Sequence, residues 1–347
     1  MKISNFIKSS AIALCILPLL AGCKEWIDDN LDECAIDAEI DYELRLVTNV
    51  STEINTKLDQ TSDSYVKDAL QNYLKDIFTD FAHDVDLSFY GAEADQTRLH
   101  QENRIMDASQ KSFTLHLPVH HYLHNASANL QNNQQVSLTA DEYHNTAELY
   151  QKDGDSLSTH KTGLFTARAD MDVKAGISQS FHVKLYMANA ATALVIDTTG
   201  SKIKNLRICT TGYANSFRIA DSTYKYDKSP IIKCDELPVT EGTQRCFAAV
   251  NYPSKDTPGS KTVIETTDPF VSVGSTEGLW AWHCYATLPD GTITRTLLSV
   301  KMPLRAGQLT IVKGKLGDDG VVRTDTPTVG VSVILDWSPG GSYDPIL

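Results

Sequence analysis

The chain alternates. Asp84-Val85-Asp86-Leu87-Ser88-Phe89 and Ser112-Phe113-Thr114-Leu115-His116-Leu117 switch between polar and apolar at every step. Phe181, Val183, Leu185 and Met187 are interleaved with His182, Lys184 and Tyr186. Trp280, Trp282, Cys284, Ala286 and Leu288 alternate with Ala281, His283, Tyr285 and Thr287, and Val329, Val331, Val333 and Leu335 repeat the pattern near the end. Side chains on a strand point to opposite faces in turn, so this period predicts half-buried antiparallel strands. Pro118, Asp153-Gly154, Thr199-Gly200, Pro289-Asp290-Gly291 and Asp319-Gly320 separate them as turns. Many short strands with regular turns predict β-sandwiches.

One stretch has a different period. Val66, Leu70, Leu74, Ile77, Phe78 and Phe81 recur at three- and four-residue steps, which is the stripe of an amphipathic helix. Ser62 and Asp63 are its candidate N-caps. The expected position of this helix is over the first sandwich. The 347 residues suffice for two domains at roughly 100–200 residues each. The boundary fits the turn at Thr198-Thr199-Gly200-Ser201, giving domains 35–198 and 201–347.

The first residues follow another logic. Lys2 and Lys8 precede an apolar run from Ala11 to Leu20, shorter than the roughly 20 apolar residues a membrane span needs. This is the layout of a secretory leader, residues 1–22. Leu20-Ala21-Gly22-Cys23 resembles the lipobox of bacterial lipoproteins, in which the cysteine becomes the first mature residue and is acylated. That resemblance makes Cys23 the lipid-attachment residue and residues 23–34 a tether. Several acyl chains supply the two or more hydrophobic signals that stable anchoring needs. Lys24-Glu25-Trp26-Ile27-Asp28-Asp29 resembles the acidic surface-export signal of Bacteroides-type lipoproteins.

Charge and cysteines narrow the function. The net charge is −13, and removing residues 1–22 deletes two lysines and no acid. Nucleic acid needs a basic footprint, so it is excluded as a partner. Electrostatic adhesion to anionic lipid is excluded with it, so the acyl chains are left to hold the protein. Cys34, Cys209, Cys234, Cys246 and Cys284 remain beyond the lipobox, in a compartment that permits disulfides. The last four allow three pairings, among which sequence does not choose.

Candidate chemistry is sparse. His116, His120, His121 and His124 cluster, but they share a strand face only if Pro118 does not reset the register, and no H-E-x-x-H occurs. There is no G-x-S-x-G elbow and no phosphate-binding loop. The expectation is no catalytic residue, no metal and no cofactor beyond the covalent lipid. Trp280 and Trp282 on one strand face could stack on sugar rings, but the continuation to Cys284, Ala286 and Leu288 favours a core. Asp155-Ser156-Leu157 and Asp197-Thr198-Thr199 resemble O-glycosylation triplets of exported Bacteroides-type proteins.

A family resemblance draws these threads together. Cys23 to Cys34, with its acidic stretch and second cysteine, is similar to the start of FimB-type minor fimbrial anchor proteins of Bacteroides-like bacteria. Leu44–Val47, Asp84–Tyr90, Leu117-Pro118-Val119-His120-His121-Tyr122, Gly163-Leu164-Phe165 through Val195-Ile196, Leu304–Thr310 and Asp336-Trp337 follow the family's order. His120 stands where the family has glycine. The resemblance implies two tandem transthyretin-like β-sandwich domains, a lipid anchor in the outer membrane and exposure at the cell surface. It also implies a non-enzymatic role at a fimbria, as base anchor and length control or as a tip or adaptor subunit. The partners it implies are shaft or accessory subunits, met through β-strand contacts. Thr328–Leu335 could be exchanged in that way, though an ordinary internal strand is the favoured reading. The rival function is a glycan-binding surface lipoprotein.

Overall fold

A computed structural model describes residues 37–46, 55, 58, 64–75, 77, 83–106, 111–131, 133–154, 156–203, 205–228, 230–256 and 279–336. Cys23, Cys34, Phe78, Phe81, Asp155 and Trp337 lie outside the described residues, so the leader, the acylated cysteine and the tether rest on sequence alone. The first half contributes β1 (Asp37–Leu46), α1 (Ser64–Lys75), β2 (Asp84–Gly91), β3 (Arg98–Ile105), β4 (Ser112–Pro118), β5 (His120–Ala128), β6 (Val136–Thr139), β7 (Glu148–Gln151), β8 (Ser156–Ser158), β9 (Phe165–Val173) and β10 (Gln179–Met187). Then follow β11 (Ala190–Asp197), β12 (Asn205–Thr211), β13 (Ser216–Arg218), β14 (Thr223–Lys225), β15 (Ile231–Lys233), β16 (Asp235–Leu237), β17 (Gln244–Asn251), β18 (Trp280–Thr287), β19 (Ile293–Val300), β20 (Leu309–Leu316), β21 (Val322–Arg323) and β22 (Val329–Asp336).

A seven-stranded sheet runs β3-β2-β5-β9-β10-β1-β4. Although β9 and β10 are consecutive, they pair only at Thr166–Tyr186 and Phe165–Met187. The rest of β10, Gln179 to Leu185, runs parallel to β1 instead. The sheet therefore turns over where β10 leaves β9, and its two parts enclose one core. Tyr42, Leu44, Leu87, Phe89, Tyr122, Met171 and Leu185 meet there. β4 shows why alternation reads well: Phe113, Leu115 and Leu117 are buried, while Ser112, Thr114 and His116 are exposed.

The second pair of layers is a five-stranded sheet, β16-β17-β11-β20-β21, and a six-stranded sheet, β22-β19-β18-β12-β15-β8. Leu194, Ile196, Ile208, Phe247, Trp280, Trp282, Leu298 and Val312 fill the space between them. β11 is buried on both faces and runs parallel to β20, so its Ala190–Ile196 stretch carries no alternation. One glycine is needed for the packing here. Gly212, just past β12, has φ +103°, and a Cβ there would lie 2.6 Å from the Trp280 Cα.

Three expectations are corrected. β11 belongs with β17 and β20, so the chain crosses between the pairs of layers at Ala188-Asn189, before the turn at 198–201. Asn189 is fully buried at this crossing. Its amide donates to Thr162 O at 2.9 Å and accepts the Leu164 N–H at 3.2 Å. The division at 198 fails a second time at β6, β7 and β8. β6 and β7 join β13 and β14 in a four-stranded sheet, and β8 pairs with β15. The third correction concerns the helix. α1 buries Val66, Ala69, Leu70 and Leu74 and lies mainly against β16 and β17 of the five-stranded sheet, where its apolar face joins that sheet's outer side to the first core. The outer face of β11 and β17 offers Ala191, Ala193 and Ala248, small side chains that let a helix approach closely. Tyr73 fixes its position by donating to Asp235 at 3.0 Å.

The cysteine question is also resolved by position. Cys209, Cys234, Cys246 and Cys284 are all thiols. Cys234 and Cys284 flank Ile208 in one row across three strands, which places them roughly 9.6 Å apart, beyond the roughly 4.4–6.8 Å of a disulfide. Cys209 faces the other side of that sheet, with Ile231 and Tyr285. Cys246 shares the outer face of β17 with Ala248, in the cluster that includes the α1 side chains. Burial raises the Cys246 thiol pKa to about 12, and those of Cys234 and Cys284 also rise, so these three are inert hydrophobes.

Candidate subunit-docking edge

The four histidines do not converge. Pro118 ends β4, and the chain restarts at His120 as β5 in the other part of the folded sheet. His116 stays outside on β4, and His120 pairs with Glu93 at 2.9 Å. His121 is exposed, whereas His124 turns into the core. There the Tyr42 hydroxyl lies 2.6 Å from Nε2, and Nδ1 lies 3.0 Å from Ser88 O. A carbonyl only accepts, so Nδ1 carries the proton and the Tyr42 O–H donates to Nε2. Burial lowers the His124 pKa to about 4. Among the described residues no three His, Cys, Asp or Glu side chains gather as a metal site.

The tryptophans are core. Trp280 is 1% exposed and Trp282 0%, with ring centroids 6.0 Å apart in an edge-to-face pair. The Trp280 indole N–H donates to Met302 O at 2.9 Å. Neither ring can reach a sugar, and the glycan-binding reading loses the residues that motivated it.

Sheet edges are what the molecule offers a partner. Three edge strands are long: β3, β4 and β22. An uncovered edge is a template for another strand unless charge or closure protects it. β3 is protected. Half-buried His100, Glu102 and Arg104 lie on its inward side, where His100 bonds Glu102 at 2.8 Å and Arg104 lies over the Phe113 ring. β4 turns its three apolar side chains fully into the core, so its edge offers a partner no exposed apolar face, and it ends in Pro118.

β22 differs from both. It pairs with β19 in register, Val329 opposite Val300, Val331 opposite Leu298 and Val333 opposite Thr296. The β19 partners face the core: Leu298 is fully buried, and Thr296 Oγ1 accepts the Val322 N–H at 3.1 Å. Val331 and Val333 share that core-facing side, yet they are 43% and 42% exposed. The cause lies in the opposite layer, whose last strand, β21, is two residues long. No described strand pairs with the outer edge of β22. Among the described residues the sandwich thus ends in an apolar step beside an unpaired strand edge. Sequence predicts the strand and its apolar face, but not that the facing layer stops short.

Comparison with known proteins bears on the fold. No protein-family model matches the sequence, and no curated protein matches it. Among solved structures, a polysaccharide-binding candidate from Bacteroides thetaiotaomicron is similar at a TM-score of 0.50 and 8% identity, over 84% of this chain and 97% of that one. An adhesin candidate from Bacteroides ovatus has a TM-score of 0.49 at 13% identity, over 84% of this chain and 93% of the other. The fimbrial anchor protein Mfa2 of Porphyromonas gingivalis has 0.45 at 9%, over 86% and 98%. These neighbours are thus a polysaccharide-binding candidate, an adhesin candidate and a fimbrial anchor protein. At such identities what is shared is the architecture, a mostly β chain of several packed sheets that matches a solved structure over nearly that structure's whole length.

Proposed function

We propose that this chain is a non-enzymatic lipoprotein of the outer membrane, tethered through acylated Cys23, that serves a fimbria as anchor or accessory subunit. A neighbouring subunit lays an extended segment along β22. The observation that carries this reading is the apolar step at Val331 and Val333 beside an open strand edge. An added strand satisfies the edge's backbone groups, and alternate apolar side chains cover the two valines. The fimbrial and adhesin names among the structural neighbours support the choice of partner. The lipobox supports the place of attachment.

Two variants test the two halves of the proposal. In Cys23→Ser the thiol needed for acylation is gone, and the chain is expected to leave the membrane fraction, taking fimbrial retention with it. Fimbriae that stay fully attached in a strain carrying only this variant refute the anchoring role. Val331→Lys with Val333→Lys puts two charges on the step. Each valine is worth about 1.5–3 kcal/mol when fully buried, so subunit capture is expected to fall at least tenfold. Both side chains are already exposed, so folding stability should change by less than about 0.5 kcal/mol per substitution. Co-purification of subunits with the native and double-variant proteins reads the outcome, and equal yields overturn the β22 assignment.

A further inference from the structure

Exposed apolar turns flank the start of β1. Asp37 stands opposite Pro118 on β4, and Ile40 stands opposite Gln179 on β10. Val119 follows Pro118 in the turn into β5, and Ile177 lies two residues before Gln179 in the turn out of β9. Both are therefore level with the first residues of β1, one on each side of it. At a strand spacing of about 4.8 Å they lie roughly 10 Å apart. Val119 is 40% exposed and Ile177 54%. The charges beside them are answered locally, Lys174 by Asp172 at 2.9 Å and His120 by Glu93 at 2.9 Å. The far end of the molecule is built differently. β10 runs from these turns to the crossing at Ala188-Asn189, and β11 continues from there to Asp197. The turns at 198–201, 238–243, 288–292 and 317–320 close that end, and none of them carries an exposed large hydrophobic side chain among the described residues. Single exposed apolar side chains are ordinary. A pair on both sides of the point where a tether enters calls for a partner.

We propose that this end of the first sandwich rests on the bilayer, with Val119 and Ile177 at the boundary between headgroups and acyl chains. Residues 23–36 connect Cys23 to β1 and span at most about 50 Å when fully extended. They hold the apolar pair at a high effective concentration beside the lipid, so a contact too weak to bind a free protein suffices to orient an anchored one. The contact is apolar and needs no anionic lipid, in keeping with a net charge of −13. It also keeps the end of β22 away from the lipid, because Asp336 stands opposite Ile293, beside the far turns. The bilayer as partner rests on the reading of Cys23 as the acylated residue; the apolar pair at the start of β1 does not depend on it.

The test uses the native acylated chain in phosphatidylcholine vesicles that contain spin-labelled phosphatidylcholine. In a Cys34→Ser background a fluorescent dye is placed on Val119→Cys, on Ile177→Cys or, as the distant control, on Asp290→Cys in an exposed far turn. Dye taken up by the parent chain is subtracted. The dyes at 119 and 177 are expected to lose most of their emission to the lipid quencher, and the dye at 290 to keep its own. Added salt should leave the quenching in place, because no charge pair makes the contact. Ile177→Asp should relieve the quenching at 119 while the far-ultraviolet circular dichroism and the flotation of the protein with the vesicles stay the same. Unquenched dyes at 119 and 177 on protein that floats overturn the contact and leave the anchoring reading standing. Equal quenching at all three positions, or quenching at 119 that survives Ile177→Asp, overturns it as well. A native chain that does not float with the vesicles overturns the Cys23 reading and this one with it.

Discussion

Trp282→Ala is expected to cost about 3–5 kcal/mol of folding stability, the range for emptying a core position of a large aromatic side chain. Trp282 is fully buried between the two layers of the second sandwich. It lies between Thr210 and Leu298 in register and packs its ring edge-to-face with Trp280. Further along the same face come Cys284 and Ala286, small residues that leave room for the two indoles. Removing one ring opens a cavity that a rigid sandwich cannot close, because the strands on both sides are held by their ladders. Domains are typically stable by only about 5–15 kcal/mol, so much of the margin is lost. The measurement is the urea midpoint of the variant against the native chain. Trp282→Phe keeps most of the volume and should cost less. A loss under about 1 kcal/mol for the alanine variant would contradict the core placement.

The second large effect is acid sensitivity from three buried neutral histidines. Burial is the leading cause in each case. It lowers His124 to about 4 and His160 and His283 to about 3, against 6.5 for an unperturbed histidine. His283 has the Arg295 guanidinium beside it as well, donating to Nδ1 at 3.2 Å, so Nε2–H donates to Thr211 Oγ1 at 2.9 Å. The sign follows from proton counts. Below about pH 6.5 the unfolded chain binds protons at these positions while the folded chain does not. Stability is therefore complete above pH 7 and falls as the pH drops from about 6.5 toward 4. Each histidine contributes a slope of up to about 1.4 kcal/mol per pH unit. For His124 the whole interval is worth roughly 3 kcal/mol. Urea melts at pH 7.5, 5.5 and 4.5 should show this decline. His124→Gln should be less stable at pH 7.5, since Tyr42 loses its partner, but its pH slope should be shallower by one proton. An unchanged slope would place the linkage elsewhere.

The fold was legible where one face is wet. Alternation marks β4, β18 and β22 as strands, and burial follows it in β4, but β18 is buried on both faces, so its His283 and Tyr285 side is a second packed face and not a wet one. The helix stripe at Val66, Leu70 and Leu74 was legible for the same reason. What the helix covers was not, because period gives a face and no address. β11 carries no alternation, since both of its faces are covered, and that is why the crossing at Ala188-Asn189 was placed too late. Short strands such as β8 and β13 hold too few residues to show a period. The candidate edge was half legible. Its valines were plain in the sequence, but their exposure depends on the length of β21 across the sandwich.

The four-stranded sheet has a consequence for how the chain is made. β6 and β7 come from the first half and β13 and β14 from the second, so no half can finish this layer alone. A polypeptide emerging from its amino end leaves β7 and β8 ready while β13 and β15 have yet to appear. Until then their edges stand idle, and a long loop must close before the ladder forms, which slows assembly and prolongs the exposure of sticky intermediates. Such a molecule matures as one body, with mid-chain strands of the second half completing layers begun in the first.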